Sequence, residues 1–89
     1  MGERRGMGMT AHTSSGWRVV ARFHGSTADG FDLVRMADTL AEADKVTREL
    51  SGRVIRTGDY LTESRRVAWT QVQRRIGGEW MPVGQAVTA

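Results

Sequence analysis

The sequence predicts a small α+β domain: an antiparallel sheet of about four to five strands, in the order β-β-α-β-β-β, with one helix packed on a face. Three observations predict it. Two extended runs, Arg65 to Ile76 and Glu79 to Gly84, meet at Gly77-Gly78, and adjacent glycines supply the positive φ angles of a tight hairpin turn. Trp17 to His24 alternates Trp17, Val19, Ala21 and Phe23 against Arg18, Val20, Arg22 and His24, which is the period of a half-buried strand. Between these regions, Thr39 followed three residues later by Glu42 forms a capping box, in which each side chain satisfies an orphan N–H at a helix start.

In chain order, residues 1–16 are rich in Gly, Met, Ser and Thr and read as a disordered tail, leaving 17–89 as a single domain. The tail lacks the apolar run of a secretory signal, and no stretch approaches a membrane span. After the Trp17 strand, Gly25 to Gly30 is a turn-rich loop and Phe31 to Met36 resumes an apolar extended run. The helix is expected over about 40–51, with Leu40, Ala43, Val46, Thr47 and Leu50 on one side and Gly52 closing it. Arg53 to Thr57 reads as a short strand ended by Gly58-Asp59, and Tyr60 to Ser64 as either a turn or one helical turn before the hairpin.

Pairing outward from Gly77-Gly78 sets Ile76 opposite Glu79, Arg75 opposite Trp80, Arg74 opposite Met81, Gln73 opposite Pro82 and Val72 opposite Val83. Alternation then sorts the side chains onto two faces. One gathers Ala68, Thr70, Val72, Ile76, Met81 and Val83, with Arg74 as the exception. The other gathers Trp69, Gln71, Gln73, Arg75 and Trp80. This second face admits three readings: core, protein interface, or a nucleic-acid surface on which Trp69 and Trp80 stack bases. Burying it would take Gln71, Gln73 and Arg75 inward too, which is costly without partners.

Composition narrows the classes. A domain of some 73 of the 89 residues is marginal alone, so a homodimer is expected. The absence of cysteine excludes disulfides, thiolate metal sites and cysteine nucleophiles, and a cytoplasmic setting is expected. The net charge is +3, and residues 53–89 carry +3 while 38–52 carry −2. Arg53, Arg56, Arg65 and Arg66 are candidate phosphate contacts that would widen the positive surface. Twelve of the thirteen cations are Arg, which suits bidentate recognition but also follows from the codon usage of a GC-rich genome.

Catalytic signatures are missing. His12 and His24 stand without a metal-ligand spacing, the serines lack a nucleophile elbow, and no glycine cluster forms a phosphate-cradling loop. Neither an enzyme nor a metal or small-molecule cofactor is expected. The run Trp17 to Phe23, then Phe31 to Met36, then Ala37-Asp38-Thr39-Leu40-Ala41-Glu42-Ala43 resembles the two strands and helix start of HicB-type antitoxins, a family similar to partial double-stranded-RNA-binding folds. That resemblance covers barely a third of the chain, the segment usual before the helix is absent, and Arg53 onward has no counterpart, so no family is assigned. The expected function is a small non-enzymatic binding or regulatory domain acting through the Trp/Arg face on a protein partner or a second copy of itself, with nucleic-acid binding as the alternative.

Overall fold

The computed structural model describes residues 16–88. In chain order these form β1 (Trp17–Phe23), β2 (Leu33–Ala37), α1 (Leu40–Leu50), β3 (Val54–Thr57), a 3-10 turn (Asp59–Leu61), β4 (Glu63–Ile76) and β5 (Glu79–Thr88). All strand pairs are antiparallel, and five strands make one sheet. The architecture is therefore α+β, with a 3-10 turn where the sequence leaves Tyr60 to Ser64 open. The expected disordered tail falls almost wholly on residues 1–15, outside the described residues. Gly16 is described, and its carbonyl accepts the Arg75 N–H at 2.9 Å.

The 14-residue strand β4 organises the sheet. Along one edge it pairs with β1, which pairs in turn with β2; along the other it takes β3 against its first half and β5 against its second. A single long strand can serve three partners because each residue offers its N–H and C=O to one side only, and successive residues alternate sides.

Helix α1 begins as its capping box dictates. Thr39 Oγ1 accepts the Glu42 N–H at 3.1 Å, and the Glu42 carboxylate reaches back to the Asp38 N–H at 2.7 Å, one residue beyond the usual partner. The helix closes on Ser51, and Gly52 follows at φ 69°, a left-handed conformation that costs glycine little. Ala43, Val46 and Leu50 pack on Trp17, Val19, Leu33, Ala37, Ile55 and Val72; Ala21, Phe23 and Val67 continue the core beyond the helix. The helix covers β1, β2 and β4 but does not extend over the outer part of β5, so Ile76, Met81, Val83 and Val87 on the same side remain exposed.

The hairpin follows the glycine turn. Gly77 and Gly78 take φ 61° and 85°, and the register runs Ile76–Glu79, Arg75–Trp80, Arg74–Met81, Gln73–Pro82 and Val72–Val83. Because the Arg75 N–H points to Gly16, the Arg75–Trp80 and Gln73–Pro82 positions are the non-hydrogen-bonded pairs. Pro82 thus aims its missing donor at the free edge, where it breaks no ladder bond and blunts the edge against stray pairing.

Simple alternation misplaces one end of β4. Arg22 pairs with Trp69 but Phe23 pairs with Val67, so Ala68 is the extra residue of a bulge. Above it, Thr70, Val72 and Arg74 face the helix side. Below it the inward residue is Val67, fully buried, and not Ala68.

Candidate binding face

The sheet side away from α1 carries Trp69, Gln71, Gln73 and Arg75 from β4 and Trp80 from β5. The pairing with β1 adds Arg18, Val20 and Arg22, since Arg18 lies opposite Gln73, Val20 opposite Gln71 and Arg22 opposite Trp69. Neighbouring β2 contributes Val34 and Met36. Both carboxylates within the strands, Glu63 and Glu79, fall on the helix side by the same registers.

Rings and guanidinium groups form a continuous row across this face. Phe31 meets Trp69 edge-on with centroids 6.2 Å apart. The Arg18 guanidinium carbon lies 5.9 Å from the Phe31 centroid and 4.5 Å from that of Trp80, and Arg75 approaches Trp80 from 5.9 Å. Trp69 and Trp80 are half-buried, neither core nor fully exposed, whereas Arg75 is exposed. Beneath the row, Val20 is entirely buried and Gln73 is only 6% exposed. Gln73 is satisfied there: its Oε1 accepts the Arg18 Nε–H at 2.7 Å, and its amide nitrogen donates to Gln71 Oε1 at 3.3 Å. Burial lowers the Arg18 pKa from its ordinary value, because desolvation disfavours the charged form.

Local interactions hold Phe31 in place. Arg22 donates from both terminal nitrogens to the carbonyls of Ala28 and Gly30, each at 2.7 Å. Asp32 accepts the Phe23 N–H and the Ser26 hydroxyl, each at 2.9 Å. Desolvation alone would raise the Asp32 pKa, but those hydrogen bonds together with the charges of Arg22 and Arg65 outweigh it, and the carboxyl lies below its ordinary value. The loop from Gly25 to Gly30 is thus tied at both ends to β1.

The four arginines expected to widen the positive surface divide between the faces. Arg56 and Arg66 share the open side, and each spends a nitrogen on a backbone carbonyl, Leu61 at 3.0 Å and Gly52 at 2.9 Å. Arg65 is on the other side, over the Phe23 ring at 5.5 Å, because the Ala68 bulge inverts the alternation below Trp69. Arg53 is exposed just ahead of β3, and its carbonyl accepts the Val67 N–H. Among the described residues, no three His, Asp or Glu side chains gather as metal ligands would.

Sequence reasoning overlooks Arg18 and Phe31. The alternation of β1 already sets Arg18 and Arg22 on its polar side, and pairing β1 with β4 would have carried Arg18 onto the Trp face. Phe31 gives no such signal, as it precedes β2 in a loop. The fold and this face together define a small antiparallel sheet domain with an arginine–aromatic surface. No family model matches the chain, and neither a curated protein nor a solved structure matches it.

Proposed function

We propose that this chain is a non-enzymatic binding domain that engages single-stranded nucleic acid across its open sheet face. One observation carries the reading: two guanidinium groups lie among three rings along the row Trp69, Phe31, Arg18, Trp80 and Arg75, and among the described residues no strand contributes a carboxylate to that side. Rings stack on bases of any sequence, and arginines neutralise the phosphates between them. The same charge balance disfavours two copies meeting face to face, because Arg18, Arg22 and Arg75 would confront their own kind. A cysteine-free chain suits a reducing compartment, and the proposal includes a cytoplasmic setting.

A protein partner with an acidic surface is the second reading, favoured by the Arg18–Trp80 stack, since Trp and Arg are the usual anchors of protein interfaces. Salt separates the two. Anisotropy of a labelled single-stranded oligonucleotide should report binding that weakens steeply and log-linearly with added salt. Absence of oligonucleotide binding at low salt would remove the first reading.

A further inference from the structure

The guanidinium of Arg18 is held in a way that the other arginines of this face are not. Its Nε is committed to Gln73 Oε1 at 2.7 Å, and Gln73 is itself buried and bonded to Gln71. Its guanidinium carbon lies 4.5 Å from the Trp80 ring centroid and 5.9 Å from that of Phe31. Neither terminal nitrogen, by contrast, has a hydrogen-bond acceptor among the described residues, and no carboxylate pairs with it. Arg22, Arg56 and Arg66 all donate terminal or Nε hydrogens to backbone carbonyls, and Arg75 is exposed.

We infer that the two terminal nitrogens of Arg18 form a prepared receptor for the paired oxygens of one backbone phosphate of a single-stranded polynucleotide. This rests on the nucleic-acid reading of the face and names the residue that anchors it. A free arginine loses rotamer freedom when it closes on a phosphate; Arg18 has lost that freedom on folding. Its fork matches two oxygens at once, which an ammonium cannot do. Arg18 is partly shielded from water by its neighbours, so an anion meeting its terminal nitrogens is screened less than one at exposed Arg75. Phe31, 40% exposed beside it, offers a ring to the adjoining base.

The test measures oligonucleotide affinity of the full chain by anisotropy at low salt. Arg18→Lys preserves the charge and loses the fork and the Nε anchor, so affinity should fall about tenfold, the scale of one lost charge-assisted hydrogen bond. Gln73→Met leaves Arg18 intact but unpinned and should weaken binding in the same direction, which guards against a folding defect peculiar to one variant. Arg48→Lys, on the helix, should bind as the unmodified chain does. In the unmodified chain, the Arg18 Nε–H resonance should shift on adding oligonucleotide. If the unmodified chain binds no oligonucleotide, the reading of the face fails and the inference with it. If it binds and Arg18→Lys binds equally well, the face stands and the Arg18 receptor is overturned. Equal or tighter binding of poly-glutamate or of anionic lipid vesicles would overturn the polynucleotide as occupant.

Discussion

The helix side and the open side of the sheet each bury a valine completely, Val19 and Val20, yet they cover it with different materials. Over Val19 lies the apolar stripe of α1, with Ala43 and Leu50 packed into the same cluster. Around Val20 the register places Arg18, Arg22, Gln71 and Val34, with Phe31 set against the row from its loop. An apolar cover gains stability from the area it removes from water and has no other use for its surface. A cover of guanidinium, amide and ring shields the valine while leaving charge and π-surface open to solvent, so the same side chains remain available to a partner. The two sides should therefore answer differently to substitution.

The largest effect is expected under the helix. Leu50→Ala should cost about 2–5 kcal/mol, read from the urea midpoint, because it opens a cavity in the cluster that joins α1 to β1. A loss as small as that of a surface residue would mean that α1 is only loosely docked, and the contrast between the two sides would collapse. Trp80→Ala on the open side should cost roughly 2 kcal/mol, about half the value for a fully buried ring, since Trp80 is half-buried. Oligonucleotide affinity should drop in that variant, and unchanged affinity would uncouple the ring from binding.

A smaller change of opposite sign is expected at Thr70. Its side chain is completely buried facing the helix side, and its hydroxyl lacks a hydrogen-bond partner among the described residues. Thr70→Val should stabilise the fold by about 1 kcal/mol, because an apolar group of similar shape removes an unpaired hydroxyl. Destabilisation instead would reveal that the hydroxyl is satisfied in solution.

The smallest effect concerns the loop that carries Phe31. The Asp32 pKa is lower in the folded chain than its ordinary value, so the unfolded chain takes up the proton more readily as pH falls. The stabilisation is whole above the unfolded-state value of about 4 and is lost as pH drops through the folded one. Asp32→Asn should accordingly lose less stability than the unmodified chain on acidification across that range. Parallel acid limbs for the two proteins would separate Asp32 from loop ordering.

How much of this could be read in the chain depends on how local each cause is. The hairpin register follows from Gly77-Gly78, because a two-residue turn leaves its flanking residues no other pairing. The helix follows from Thr39, Glu42 and Gly52, whose side-chain and backbone conformations act within one turn. The face of Val67 and Arg65 was not legible, since one extra residue at Ala68 inverts alternation without any glycine or proline to mark it. Arg18 was legible as a polar strand position and illegible as a neighbour of Trp80.

The sequence by itself determined the helix with its cap, the strands, the Gly77-Gly78 turn, and the clustering of Trp69, Gln71, Gln73, Arg75 and Trp80 on one side of a hairpin. Tertiary structure alone decided that β1 lies against β4, that α1 covers one side only, and that Arg18 closes on Gln73 between Phe31 and Trp80. The physical reason is sequence separation. Turn and cap chemistry acts over a few residues, whereas Gln73 lies 55 residues from Arg18 and meets it only when strand pairing and helix docking have set the sheet's two sides.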